Sequence, residues 1–226
     1  MLKILSIIPA RGGSTEIPLK NLVKINKKPL LHYALSASLN SSLINRTVVS
    51  TDNNKINNFA VKLGAEVIHR PKKLSGNKIA LEPTISHVLS KLKSTESYVP
   101  DIIVLLQNTS PLRTSTDIDN AVKKFKRSSY DSLLSGFVSH SLYFYLNNKY
   151  LKPKNFSLQK WPNRQQMKSQ YVGNGAIFIT THTAFQKSKC RISGKIGFYE
   201  MPLERSYEID SNHDLFIVDK LLKKRK

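Results

Sequence analysis

The sequence predicts an α/β protein, a Rossmann-like and mostly parallel sheet with helices on both faces. Three observations lead there. Short apolar runs, Ile4 to Ile8 and Asp101 to Leu106 above all, lack strand alternation and so suit strands buried on both faces. Helix-period segments separate those runs, the signature of repeated strand–helix units. Polar and basic clusters follow the apolar runs, and in an open parallel sheet ligands lie beyond the carboxyl ends of the strands.

Taken in order, Ile4 to Ile8 is the first strand. Pro29 to Leu39 is a helix with proline at its start and Leu31, Leu35 and Leu39 on one stripe. Arg46 to Ser50 is a strand ending in Thr51-Asp52. Lys55 to Leu63 is a helix closed by Gly64, and Glu66 to His69 is a strand ending in Arg70-Pro71. Pro83 to Leu92 is a helix and Asp101 to Leu106 a central strand, followed by Gln107 to Arg113 and a helix over Asp117 to Phe125. From about Leu133 to Tyr171 the rhythm changes. A strand-like S-L-L-S-G-F-V-S precedes an aromatic hairpin turning at Asn147-Asn148, then a basic segment with Trp161 and Arg164. Its aromatics either pack against a second subunit or cover the parent domain. The chain re-enters the sheet over Asn174 to Thr180, adds an edge strand over Gly197 to Met201, and ends in a helix from Asn212 to Leu222 with Asp214 in its first turn. The expected organisation is one domain over 1–226 with an inserted segment over 133–171.

The 226 residues are enough for a full hydrophobic core, and 40% of them are hydrophobic. No apolar run approaches the roughly 20 residues of a membrane span, and the start of the chain lacks the pattern of a secretory signal, so a cytoplasmic protein is expected. A single cysteine, Cys190, excludes an intrachain disulfide and a cysteine-based zinc site. The net charge of +21 would attract nucleic acid, an anionic surface or a small polyanion alike. Its lysines are dispersed, and the basic tail Lys223 to Lys226 reads as a solvated helix end rather than a binding arm. Nucleic acid is not the expected partner.

The first loop, P-A-R-G-G-S-T-E-I-P-L-K-N from Pro9 to Asn21, carries the clearest chemistry. Arg11 and Lys20 bracket it, and a transferring phosphoryl group needs positive charge where negative charge develops. Backbone N–H groups of Gly12, Gly13 and Ser14 can form an anion nest. A tight turn with two solvated basic residues explains the same letters, since the loop lacks the Gly-Lys-Ser/Thr ending of a true P-loop. Near the other end, Glu208 and Asp210 lie two apart in Y-E-I-D. On an extended segment they share one face, which suits Mg²⁺ with its few protein ligands and retained waters. A polar strand edge with Asp210 or Ser211 as a helix cap accounts for them equally. No His-based metal motif or Ser-His-Asp arrangement is present, and His140 has no assigned role.

These pieces together resemble the N-acylneuraminate cytidylyltransferase family and its legionaminate and pseudaminate relatives. The motifs are I-I-P-A-R-G-G-S-x-x-I-P-x-K-N, K-P-L-L at Lys28 to Leu31, V-V-S-T-D at Val48 to Asp52 and H-R-P at His69 to Pro71. L-L-Q-x-T-S-P-L-R-T at Leu105 to Thr114, R-Q-Q at Arg164 to Gln166, N-G-A-I-F-I at Asn174 to Ile179 and the E-I-D segment complete the set. The resemblance implies transfer of CMP from CTP to the anomeric hydroxyl of a nonulosonic acid, an acidic nine-carbon sugar, releasing pyrophosphate with Mg²⁺. It implies Arg11, Lys20 and Asp210 as the catalytic set. Gly12, Gly13, Ser14 and Thr15 join Arg11 and Lys20 along the nucleotide, with Asn21, Arg70 and Ser75 around the cytidine. Gln107, Ser110, Arg113, Arg164 and Asn174 line the sugar, and Glu208 with Asp210 holds the metal. The 133–171 segment resembles the family's dimerisation arm, so a homodimer is expected.

Several departures from the family pattern stand out, the mildest being Glu208, which stands where the family usually has aspartate and keeps a carboxylate on a longer arm. Thr15 occupies the place of a lysine that clamps the triphosphate, Asn77 replaces an aspartate, and Asn108 replaces the proline of L-Q-P-T-S-P-L-R. Val172 and Gly173 precede Asn174 where bulkier or basic residues are common. The second expectation is therefore a family-like chain of reduced or lost catalysis that serves as a binding or partner subunit.

Overall fold

A computed structural model describes residues 2–224; Arg225 and Lys226 of the basic tail lie outside the described residues. The elements run in chain order as β1 (Ile4–Pro9), β2 (Lys24–Ile25), β3 (Lys28–Pro29), α1 (Leu30–Leu39), β4 (Arg46–Thr51), α2 (Asn54–Lys62) and β5 (Glu66–His69). They continue as α3 (Glu82–Glu96), β6 (Ile102–Leu105), α4 (Ser115–Lys126), β7 (Ser132–Ser139), β8 (Phe144–Asn147) and β9 (Tyr150–Pro153). β10 (Gln170–Thr181), α5 (His182–Ser188), β11 (Ile196–Glu200) and α6 (Asn212–Lys224) complete the chain. Seven strands form one sheet in the order β11-β7-β10-β6-β1-β4-β5. β1 pairs in parallel with β4 and β6, β4 with β5, and β11 with β7; β10 runs antiparallel to both its neighbours.

The unalternating run of β1 has a direct explanation. Ile4 and Ile8 enter a core cluster with Leu31, Ala34 and Leu35 of α1, Ile56 and Ala60 of α2, and Ile118 and Val122 of α4. Leu5 and Ile7, pointing the other way as alternate strand residues must, join Ile85, Val88, Leu89 and Leu92 of α3 and Phe185 of α5. The sheet is flanked by helices, and β1 has no solvent side. A third cluster unites Ile17 of the first loop with Leu30, Ile209 and Val218. It fastens that loop to the segment bearing Glu208 and Asp210.

Local signals set several boundaries. Asn53 caps α2 by accepting from the N–H groups of Lys55 and Ile56, and Gly64 beyond its end takes φ +88°. Thr114 and Asp117 form a reciprocal capping box at the start of α4. The structure also departs from the expected elements. α3 runs on to Glu96, four residues beyond Leu92, and α5 and the small β2–β3 hairpin were not anticipated. The strand-like start of the 133–171 segment belongs to the central sheet: Leu133 and Leu134 pair with β10 and with β11. β10 itself begins at Gln170, so the excursion proper covers 140–169. Within it β8 and β9 form a separate hairpin, with Asn148 at φ 57° in the turn.

Candidate active site

The parallel strands β1, β4 and β6 end at one edge of the sheet, and because β10 is antiparallel its amino end meets them there. A polar cavity of about 270 Å³ opens at that edge. Arg11, Ser14, Lys20 and Asn21 of the first loop form one wall, Leu74, Gly76, Asn77, Ile79 to Leu81 and Thr84 another, and Gln107, Asn108 and Thr109 after β6 a third. Arg70 and Asp210 also line it. An adjoining cavity of about 280 Å³ is bordered by Arg11, Ser14, Thr15, Glu16, Lys20 and Asp210.

The first loop is held by backbone economy. Ala10 continues the β1 ladder through its N–H to the Ser50 carbonyl, 2.9 Å. The Gly12 N–H donates to Asp52 Oδ1 at 2.8 Å, so this donor of the expected nest is already committed. A Cβ at Gly12 would lie 2.8 Å from Asn53 side-chain atoms, which is why the loop can pass the α2 cap only with glycine there. Asn21, buried, donates to the Arg11 carbonyl at 2.9 Å and pins the loop from its far end. Arg11 reaches across the cavity to the Gly76 carbonyl, 2.8 Å, leaving most of its donors uncommitted.

Opposite Arg11, Lys20 Nζ donates to the Ile209 carbonyl at 2.9 Å and to Asp210 Oδ1 at 3.1 Å. Glu208 and Asp210 flank buried Ile209, whose N–H donates to the Thr109 carbonyl at 2.7 Å. Burial raises the Glu208 pKa, Asp210 raises it further, and Lys20 opposes both. Ser211 caps α6, its Oγ accepting from the Asp214 N–H at 3.3 Å while Asp214 accepts from the N–H groups of Ser211 and Asp210, so the Asp210 carboxylate is not used as the cap. A carboxylate pair whose mutual repulsion Lys20 offsets only in part can hold a small, hard divalent cation. Among the described residues no cluster of three or more His, Cys, Asp or Glu side chains forms a metal site, and Mg²⁺ needs no such cluster because it keeps several waters.

Gly175 takes φ +63°, and a Cβ there would fall 1.7 Å from Glu208 Oε1 and 2.9 Å from Gln107 Oε1. The bare Cα thus lets Glu208 and Gln107 approach one another. Only the N-G dipeptide hinted at this in the sequence.

The remaining expected site residues are mostly frame. Arg70 is 3% exposed and gives Nη2 to the Ser50 carbonyl at 2.6 Å and Nε to Ser50 Oγ at 3.2 Å. Burial pulls its pKa down to about 10. Arg113, also 3% exposed, donates Nη1 to the carbonyls of Gln107 at 3.1 Å and Ala176 at 2.8 Å, and burial lowers it likewise to about 10. Ser110 donates to the Asn174 carbonyl at 3.0 Å. Asn174 accepts from Ser135 Oγ at 2.7 Å and donates to Ser206 Oγ at 2.9 Å, so its amide is spent inside the protein. Ser75 Oγ is buried outside the cavity lining. Arg164 is exposed on a short turn of the excursion, outside both cavities.

Known proteins resemble this chain in sequence and in fold. The chain is 32% identical over 215 residues to the N-acylneuraminate cytidylyltransferase of Escherichia coli O18:K1:H7, covering 94% of this chain and 50% of that protein. It therefore spans about half the length of the first curated relatives it matches. It is 29% identical over 231 residues to the post-translational flagellin modification protein B of Campylobacter coli, covering 100% of this chain and 97% of that one. CMP:2-keto-3-deoxy-manno-octonic acid synthetase, solved with CTP, shares the fold at a TM-score of 0.72 and 17% identity, covering 99% of this chain and 100% of that one. A family model described as cytidylyltransferase matches residues 5–221. The chain belongs to the cytidylyltransferase family.

Proposed function

We propose that this chain transfers CMP from CTP to the anomeric hydroxyl of a nonulosonic acid, in the cytoplasm and as a homodimer joined through the 140–169 excursion. The observation that carries the reading is the convergence of Arg11, Lys20 and Asp210 on one polar cavity at the carboxyl ends of β1 and β6. The names of the relatives point to acidic sugars of the N-acylneuraminate type. Exposed Phe144, Tyr145, Tyr150 and Trp161 supply the apolar surface that a second copy would cover.

In this reading the sugar hydroxyl oxygen bonds to the α-phosphorus, its proton passing to a phosphate oxygen or to solvent, as the bond to the pyrophosphate bridging oxygen breaks. Little covalent help is needed, so the protein's work is positioning and charge. Arg11 and Lys20 take up phosphate charge, and Lys20 must leave Asp210 to do so. Glu208 and Asp210 hold Mg²⁺, whose charge offsets that of the phosphate oxygens. Gln107, drawn next to Glu208 over Gly175, orients the sugar. The test is pyrophosphate release from CTP and Mg²⁺ across a panel of neuraminic, legionaminic and pseudaminic acids. Release that requires one of these sugars is the expected result, and silence across the panel ends the proposal.

A second reading has a specific observation behind it. Thr15 borders the adjoining cavity beside Arg11, Lys20 and Asp210 and brings a hydroxyl where the resembling family has a cation. A chain of weak intrinsic turnover that binds nucleotide for a partner is compatible with that, and robust turnover by the pure protein would exclude it.

A further inference from the structure

Two buried polar atoms in the wall of the main cavity lack partners. Asn108 is 4% exposed and Thr84 is 1% exposed. Both residues line the cavity, from different elements: Asn108 follows β6 and Thr84 lies in the first turn of α3. Asn108 Oδ1 and Thr84 Oγ1 are shielded from solvent and have no hydrogen-bond partner among the described residues. Buried polar atoms are rarely left so, because an unmet acceptor or donor costs the full price of its desolvation.

The orientation of the Asn108 amide is set by its other end. Nδ2 donates to the Pro9 carbonyl at 2.9 Å, and turning the amide over would set oxygen against oxygen. The group left unpaired in the cavity wall is therefore an acceptor. A proline, which the resembling family carries at this position, has no side-chain polar atom to offer. Thr84 supplies a hydroxyl, which can donate or accept.

We propose that Asn108 and Thr84 read the pyrimidine base, Asn108 Oδ1 accepting from the exocyclic amine of cytosine and Thr84 Oγ1 completing the contact at the neighbouring ring nitrogen. The proposal rests on the reading of the chain as a CTP enzyme. Cytosine presents an amino donor where uracil presents a carbonyl acceptor. A fixed acceptor accordingly favours CTP and opposes UTP, and a site built around one hydrogen bond discriminates against ligands that lack it. The base must press into the wall to reach both atoms.

The test is a binding cycle in which protein and ligand are each changed once. Affinities of CTP, UTP and the triphosphate of the pyrimidin-2-one riboside, which lacks the amine, are measured by calorimetry on wild type, Asn108→Ala and Thr84→Val. Wild type should prefer CTP to the amine-free nucleotide by roughly fivefold to tenfold, and Asn108→Ala should abolish that preference by weakening CTP alone. Thr84→Val, nearly isosteric, should weaken CTP and the amine-free nucleotide equally. Because each comparison is made within one folded variant, a general loss of stability cancels. An Asn108→Ala chain that keeps the wild-type preference overturns the inference while leaving the CTP reading intact. A wild type that binds no CTP overturns both.

Discussion

Arg11 and Lys20 at the rim of the cavity contrast with Arg70 and Arg113 in its supporting frame. All four follow the ends of strands, or close the loop that does, and all four were expected to touch substrate. The rim pair keeps capacity for a ligand: Arg11 gives one bond across the cavity to Gly76, and Lys20 sits in an exchangeable pair with Asp210. The frame pair is buried and holds carbonyls of its own chain, Arg70 Nη2 that of Ser50 and Arg113 Nη1 those of Gln107 and Ala176, while Arg113 Nε and Nη2 have no hydrogen-bond partner among the described residues. The same residue type thus does two jobs. Where strands end, many carbonyls lack ladder partners, and a buried guanidinium with five donors satisfies several at once. The frame arginines keep the strand ends in register so that the rim cations face one another.

Substitutions can break this division, and the largest effect should come from the frame. Arg113→Met removes the donor to two buried carbonyls and should lower stability by about 4 kcal/mol in chemical denaturation. A fully stable variant with reduced activity would instead make Arg113 a ligand contact. At the rim, Arg11→Ala should reduce kcat/KM by about a hundredfold and leave the denaturation midpoint unchanged. A loss of stability matching that of Arg113→Met would erase the contrast. Thr15→Lys adds a third cation to the rim, and turnover should rise about tenfold, a gain smaller than the loss from Arg11 because Arg11 is already in place. No gain in a wild type of normal activity would mean that Arg11 and Lys20 suffice.

The smallest effect concerns Glu208, whose pKa is raised by burial and then by Asp210. The folded chain holds this proton above the pH at which the unfolded chain releases it. The stability it contributes is present below the ordinary carboxylate value and is lost as pH rises through the folded value. Without divalent cations, Glu208→Gln should therefore be more stable than wild type at pH 8, by less than about 1 kcal/mol after solvent screening, and equal to it at low pH. Added Mg²⁺ should raise the melting temperature of wild type and barely move that of the variant. Equal responses to Mg²⁺ would place the cation elsewhere.

Much of the frame was legible because its signals are local. The apolar runs of β1, β4 and β6, the proline opening α1 and the glycine after α2 each act within a few residues. α5 was missed because H-T-A-F-Q-K-S buries only Phe185, too little to make a periodic stripe. The last turn of α3 is polar and carries no stripe either. The sheet membership of Ser132–Ser139 depends on pairing with β10, more than thirty residues later, and no window of sequence holds that information. At the site, the loop and the Glu208–Asp210 pair were readable as chemistry, whereas the split between rim and frame was not. An arginine in a motif looks the same whether it faces a phosphate or a carbonyl, and only burial separates the two. Asn108 was visible as a departure, and its role emerged from which end of the amide was already taken.

β10, the one strand of the seven-stranded sheet that runs antiparallel to its neighbours, has a bearing on how such a chain can vary. β7 ends, and β10 begins, at the same edge of the sheet that carries the cavity. Everything between them leaves and returns through one doorway, and its two posts are already hydrogen-bonded to each other from Gln170–Ser139 inward. A segment hung this way can lengthen, shorten or be exchanged for another without shifting the register of any strand. The sheet is then a fixed chassis, and the 140–169 excursion an interchangeable fitting at its working edge.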